Sequence, residues 1–371
     1  MSTVGTTSAG RVMSSDYMRW AKTVHARARF NLANSGMRAY PLARLPVSLS
    51  DIELSGPSFY GYAPLQEAIA RKESVSPDCV VAANGTSMAN HLALAALVSP
   101  GDEVLVERPA YELLISTALY LGADLRRFER RAEEDFRLDA AEVRRAITPR
   151  TRVVVLTNLH NPSCSLADEA TLREIGELAR SVGARVIADE VYLDSALADR
   201  PPRSAFHLGP EFLSTNSLTK FYGLGGLRCG WILAEPDLAR KIWRLNDLFG
   251  SIQPHPAELL STVALAHLPR IAAESRALLD ANLPHLNRFL ASRAELEAPP
   301  LTHGTVSFPR LRGGDGERVE RLSELLLDRY ETSIVPGRFF ERPDHFRVGI
   351  ALDTDIFAEG LARLGAALDE L

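Results

Sequence analysis

The chain is poor in the residues that metal, disulfide or membrane architectures require. Its three cysteines, Cys79, Cys164 and Cys229, are odd in number and far apart, so neither a disulfide framework nor a zinc ribbon follows. Nine histidines form no HExxH and no close pair, so no metal centre is expected. No apolar run reaches the length of a membrane-spanning helix. Residues 1–15 are small and polar without an apolar stretch; they read as a disordered start rather than a secretory signal, and a cytoplasmic location is expected. Positive charge is scarce too. A net charge of −5 gives the whole molecule no attraction to nucleic acid. The exception is the stretch to Arg44, where seven Lys and Arg stand against Asp16 alone; it reads as a solvated or interface-forming arm.

What is present suits an enzyme of moderate size. The 371 residues, 46% of them hydrophobic, suffice for one large domain and a smaller one. Asp16 to Phe30 has helical spacing, with Tyr17, Trp20, Ala21 and Val24 on one side. Residues 31–50 are turn-rich, carrying Asn34-Ser35-Gly36, Pro41 and Pro46, and read as a crossing segment. From about residue 64 strands and helices alternate. Strands are expected over 79–83, 103–107, 153–157, 185–189, 212–217 and 229–234, and helices over 65–73, 87–97, 111–121 and 167–182. The β-branched run 153–157 has the character of a central parallel strand. Past about residue 260 a long helical region precedes short strands near 305–311 and 345–351. The expected fold is α/β: a mainly parallel sheet flanked by helices, plus a smaller α+β domain.

Lys220 stands between a strand and a glycine-rich turn, in Ser217-Leu218-Thr219-Lys220-Phe221-Tyr222-Gly223-Leu224-Gly225-Gly226-Leu227-Arg228. Hydroxyls one and three residues before it and an arginine eight residues after suit a Schiff-base amine beside groups that grip a phosphate. Asn84-Gly85-Thr86-Ser87, between a strand and a helix, offers N–H groups and hydroxyls to an anion. Asn161, in Asn158-Leu159-His160-Asn161-Pro162-Ser163, follows a strand end and suits donation to a phenolate oxygen. Asp189 and Tyr192 end the next strand; a carboxylate there suits a ring cation. Arg347, in a strand pattern, suits a two-pronged grip on a carboxylate, and Tyr111 suits stacking on an aromatic ring. Taken singly, each also fits an ordinary role: a solvated loop lysine, a capped helix start, an Asn-Pro turn, a surface arginine, a core tyrosine.

Together, and in this order over about residues 65–351, these motifs resemble the class I/II aminotransferases, the fold-type I enzymes that use pyridoxal 5′-phosphate (PLP). The resemblance implies a homodimer with a large PLP-binding domain over 47–258 and a small domain built from 16–46 and 259–371. It implies that Lys220 holds PLP as an aldimine and shuttles a proton through a quinonoid intermediate. Asp189 would pair with the ring nitrogen, and Asn161 and Tyr192 with the ring's phenolate oxygen. Gly85, Thr86, Ser217, Thr219 and Arg228 would surround the phosphate, joined by Tyr60 across the dimer. Tyr111 would stack on the ring; Arg347, with Asn161 and Gly36, would bind the substrate. The implied reaction moves an α-amino group from an amino acid to a 2-oxo acid. A C–S lyase, a decarboxylase or a biosynthetic cyclase on the same scaffold remains the alternative.

The chain departs from that pattern in places. Cys164 stands where the family usually has glycine after Asn-Pro-Ser/Thr, which puts a side chain where the loop favours freedom. It reads as a tolerated small residue or a reactive thiol. Tyr60 and Tyr62 crowd Gly61, which leaves the choice of phosphate tyrosine between them open. No clear second arginine is set for a dicarboxylate; Arg338 is the candidate, with a surface role as the other reading. The Gly223-x-Gly225 pair lacks the spacing of a dinucleotide fingerprint. The roughly 45 residues ahead of the large domain are few for a DNA-binding module, so catalysis rather than regulation is expected.

Overall fold

A computed structural model describes residues 14–24, 27–197 and 202–371. The expected disorder of residues 1–15 falls largely outside these. Eleven helices are formed among the described residues: α1 Asp16–Thr23, α2 Ala63–Glu73, α3 Gly85–Leu97, α4 Glu112–Tyr120, α5 Ala140–Ala146, α6 Glu169–Ser181, α7 Pro236–Asn246, α8 His255–Ala266, α9 Leu268–Ser292, α10 Gly316–Tyr330 and α11 Thr354–Asp369. The strands are β1 Phe30–Asn31, β2 Val80–Asn84, β3 Glu103–Arg108, β4 Asp124–Glu129, β5 Thr151–Thr157, β6 Arg185–Asp189, β7 Phe212–Ser217, β8 Cys229–Leu233, β9 Leu296–Glu297, β10 Val306–Ser307, β11 Arg310–Leu311, β12 Thr332–Ser333, β13 Val335–Pro336 and β14 Phe346–Gly349.

Seven strands make one sheet in the order β2-β8-β7-β6-β5-β3-β4. All pairs are parallel except those of β8, which runs against both β2 and β7. The period of two is visible in the packing. Val153, Val155 and Ile187 face one apolar core, while Val154, Leu156, Val186 and Ala188 face another. Both faces are covered, so the central strands are apolar throughout. α6 shows the complementary helical logic: Leu172, Ile175, Gly176 and Ala179 form its buried stripe, and Asp168 caps it by accepting from the Thr171 N–H at 2.8 Å. The remaining strands pair in small sheets. Phe30 pairs with Thr332 in parallel, and β14 lies between β10 and β13. No described helix is long and apolar enough to cross a membrane.

Several boundaries differ from the periodicity. The first helix stops at Thr23 rather than Phe30, because the Phe30 backbone is drawn into pairing with Thr332 and the Arg363 guanidinium lies 4.1 Å from its ring. The long helical region divides at His267, with Pro269 in the first turn of α9. β4 and α5 were not legible. In β4, Asp124 and Arg126 are exposed at the sheet edge while Phe128 is buried, so charge masks the strand.

One ionic pair fixes the level of the sheet's carboxyl ends. Glu107 and Arg130 are fully buried, with Nε and Oε2 2.9 Å apart. Glu107 Oε1 accepts from the Thr157 N–H at 2.8 Å and from its hydroxyl, while Arg130 donates to the Thr157 carbonyl at 3.1 Å. Burial pushes Glu107 up to about 7, opposed by Arg130 and Thr157. Removing one partner strands the other, so Glu107→Ala is expected to lower unfolding stability by roughly 3–5 kcal/mol. Glu107→Leu combined with Arg130→Met should lose clearly less. Urea unfolding midpoints check this; an equal or larger loss in the double variant contradicts it.

Candidate active site

The carboxyl ends of β5, β6 and β7 and the start of α3 surround a cavity of about 220 Å³. Lys220 enters it from the turn after β7. Its backbone is fixed from both sides: the Met37 N–H donates to the Lys220 carbonyl at 2.8 Å, and the Leu218 N–H to that of Cys229 at 3.0 Å. Gly36 packs against the lysine stem, where a Cβ would lie 3.4 Å from Lys220 Cδ, an ordinary contact distance. The amine donates to the Ser35 hydroxyl at 3.0 Å. Burial lowers its pKa below the ordinary lysine range, and the positive charges of Arg347 and Arg228 act in the same direction. A lysine so placed is nearer to being a free nucleophile than a solvated one.

Asp189 ends β6 and is buried. It accepts from the Asn90 side chain at 2.7 Å and from the Val191 N–H at 3.1 Å. Asn90 is itself held by the Thr215 hydroxyl at 2.6 Å, so the carboxylate is oriented through two layers. Burial pushes its pKa up to about 6, against the pull of Asn90, Val191 and Lys220. Such a carboxylate calls for a cation in front of it.

At another end lie hydroxyls and a guanidinium. α3 begins at Gly85, whose φ of +73° and closeness to Arg228 leave no room for a side chain: a Cβ would sit 2.2 Å from Arg228 Nη2. Thr86, Ser87, Ser217, Thr219 and Arg228 all line the cavity. The Thr86 hydroxyl is buried with no partner. The first-turn N–H groups of α3 likewise lack helical acceptors. This is the composition of an anion cradle.

The third cluster is centred on Arg347 in β14, 1% exposed. Its Nη1 donates to Asn161 Oδ1 at 2.8 Å, and its Nη2 to the Tyr17 hydroxyl at 3.1 Å and the Ala33 carbonyl at 3.3 Å. Its Nε–H has no partner. Tyr111 and Tyr192 complete the wall; burial pushes Tyr192 up to about 12 and Tyr111 well above the ordinary range.

Of the residues predicted from sequence, Thr86, Tyr111, Asn161, Asp189, Tyr192, Ser217, Thr219, Lys220, Arg228 and Arg347 line this one cavity, with Gly85 and Gly36 against two of them. Tyr60 does not: it is half-exposed, its hydroxyl donating to Asp247 at 3.1 Å. Arg338 pairs with Glu320 outside the cavity. Sequence reasoning missed Tyr17, Met18, Ser35, Asn90 and Thr157. Asn90 had a signal, a lone amide within an apolar helix; Ser35 and Tyr17 had none beyond a turn and a helical face. Cys164 keeps a left-handed backbone, φ +60°, and turns its thiol inward against Gly304. Burial pushes that thiol up to about 11, so it is a packed, protonated residue.

The sequence profile described as "Aminotransferase class I and II" matches residues 49–364. A capreomycidine synthase of Streptomyces vinaceus is 31% identical over 362 residues, 94% of this chain and 92% of that one. An arginine–pyruvate transaminase of Pseudomonas aeruginosa is 28% identical over 342 residues, 86% and 85% of the two chains. Among solved structures, a PLP-dependent aminotransferase from Streptococcus suis superposes with a TM-score of 0.88 at 24% identity, covering 95% of this chain and 96% of its own, and shares the fold. The PLP-dependent cyclase OrfR gives a TM-score of 0.87 at 25% identity, covering 97% and 99%.

Asp189 yields a pH prediction. Its folded value of about 6 lies above the ordinary 3.8, so the cofactor-free fold holds a proton that the unfolded chain has released. The associated stability is fully present below pH ~4 and is lost as pH rises through ~6, on the order of 3 kcal/mol for the two-unit shift. Cofactor-free wild type should therefore lose stability relative to Asp189→Asn across that window, measured by urea unfolding. A constant difference between the two contradicts it.

Proposed function

The chain belongs to the class I and II aminotransferase family and its cofactor is PLP, and on that premise we propose that it moves the α-amino group of an amino acid to a 2-oxo acid. The observation that carries this reading is the convergence of Lys220, Asp189 and Arg347 on one cavity. The donor sets fit the cofactor: an unpartnered Thr86 hydroxyl beside Arg228 for a phosphate, a buried Asp189 for a ring cation, and an amine of lowered pKa for an aldehyde carbon. When bound, PLP withdraws electrons from the substrate's Cα and so weakens its C–H bond.

The protein's residues do the rest. Gly85, Thr86, Ser217, Thr219 and Arg228 would hold the phosphate, and Asp189, set by Asn90, would face the ring nitrogen and favour its protonated form. Asn161 and Tyr192 would donate to the phenolate oxygen, and Tyr111 would cover the ring. Arg347 would clamp the α-carboxylate and so orient the bonds at Cα. Lys220 Nζ, once free of the cofactor, would be the base that takes the proton from Cα. We assign 47–258 to the cofactor-binding lobe and 16–46 with 259–371 to a second; the pairing of Phe30 with Thr332 supports the join. Exposed Leu49, Leu54, Phe59, Leu248 and Phe249 support a homodimer, to which Tyr60 contributes its hydroxyl across the interface.

One observation favours a second reading. The capreomycidine synthase and the cyclase OrfR resemble this chain over 94% and 97% of its length. Ring closure within one amino acid starts from the same α-proton removal and uses the same grips.

PLP-loaded protein mixed with each amino acid, without an oxo acid, separates the two. Transamination is expected to release about one 2-oxo acid per active site, and Lys220→Ala to abolish it. A cyclised amino acid that retains its nitrogen, with no oxo acid formed, transfers the conclusion to the second reading. Arg347→Lys, which loses the two-pronged grip, should raise KM for the amino acid about 10- to 100-fold. An unchanged KM removes Arg347 from the carboxylate.

A further inference from the structure

α1 reaches the cavity from outside every motif named above. Tyr17 and Met18 line it together with Lys220 and Asp189. The start of the helix is fastened at one carboxylate. Glu112, buried and first in α4, accepts from the Ser15 hydroxyl at 3.0 Å and from the Tyr17 N–H at 2.7 Å. The Tyr17 ring meets Tyr111 edge-on at 5.5 Å and Phe339 at 5.5 Å, so it is held on two sides by packing. Tyr111, next to Glu112 in sequence, donates its hydroxyl to Met18 Sδ at 3.5 Å.

The phenol therefore has one place to point. Its oxygen accepts from Arg347 Nη2 at 3.1 Å, which leaves its own O–H proton directed elsewhere. Beside it, the Arg347 Nε–H is buried and unspent. The phenol proton and the guanidinium's own Nε–H are thus both unspent on two residues that line the cavity, and a carboxylate has two oxygens to receive them. A buried donor without an acceptor is unfavourable, so the arrangement is complete only with an anion in place.

We propose that Tyr17 is a second substrate-binding residue, its hydroxyl donating to the α-carboxylate that Arg347 holds, with Glu112 as the positioning residue that sets it through α1. This rests on the reading of Arg347 as the carboxylate clamp. The hydroxyl takes one carboxylate oxygen and the guanidinium the other. The carboxylate is thereby held against rotation, and Met18 closes the space beside it with apolar atoms.

The test uses the PLP-loaded protein and two matched probes, 2-aminoisobutyrate and isopropylamine, which differ by the carboxylate alone. 2-Aminoisobutyrate has no α-proton; isopropylamine keeps one, so binding of both is read from the initial change of the cofactor's absorption band, before any acetone forms, up to molar concentration. Wild type is expected to prefer 2-aminoisobutyrate. Tyr17→Phe, which keeps the ring, should reduce that preference about tenfold or more while leaving isopropylamine binding unchanged. Glu112→Gln should shift the preference in the same direction by less. A Tyr17→Phe protein that retains the full preference, or that weakens both probes equally, overturns the proposal and leaves Tyr17 a packing residue. If wild type shows no preference, or Arg347→Lys does not reduce it, the carboxylate reading of Arg347 fails, and the inference with it.

Discussion

A single buried guanidinium joins the parts of this molecule that sequence separates most widely. Arg347 comes from β14, near the end of the chain, and donates to Tyr17 and Ala33 near its start and to Asn161 beyond the central strand β5. No one of these segments defines a site alone. α1 is two turns long, shorter than an isolated helix needs for stability in water. The segment around Ala33 is a turn, and Asn161 sits in a loop. Each is held where it is because a fully buried cation tolerates few arrangements of its acceptors. The guanidinium therefore acts on architecture as well as on chemistry: it requires the first residues of the chain to return to the sheet's carboxyl edge.

The cavity beside it is built against the local interest of stability. Asp189, which lines it, is a buried carboxyl raised above its ordinary range by burial. The Thr86 hydroxyl and the Arg347 Nε–H have no partner. A fold selected for stability alone would place apolar side chains there. What offsets these costs is the sheet beneath, where strands β5, β6 and β7 are buried on both faces. The Glu107–Arg130 pair then locks the end of β5 at a defined height. Rigid apolar strands carry the polar groups, and a bound cofactor supplies the charges that those groups lack.

Legibility in the sequence followed the same division. The strands ending at Thr157, Asp189 and Ser217 were readable to within two residues, because burial on both faces leaves runs of β-branched and apolar residues with turn signals behind them. The groups immediately after those strand ends were readable for that reason. β4 was hidden because an edge strand carries charges outward. The end of α1 was hidden because pairing of Phe30 with a strand three hundred residues away overrides local spacing. Asn90 and Ser35 were missed differently. Their hydrogen bonds to Asp189 and Lys220 join residues 99 and 185 positions apart, and nothing in a local window encodes such a pairing.

This division also explains why the motifs name a family more readily than a reaction. In the proposed assignment every legible residue grips something that all the rival reactions share: a phosphate, a ring, or an α-carboxylate. On that reading Lys220 would remove the same proton whether nitrogen then leaves or stays. Selection among outcomes must come from groups that face the rest of the substrate, and Met18, carried on α1 rather than on the sheet, lines the cavity outside those grips. α1 is tied to Glu112 and, through the Tyr17 hydroxyl, to Arg347, so positions on it other than Tyr17 can change while the grips beneath stay in place. The sheet thus constrains what can be bound, and the short helix over it is free to differ in what is done next.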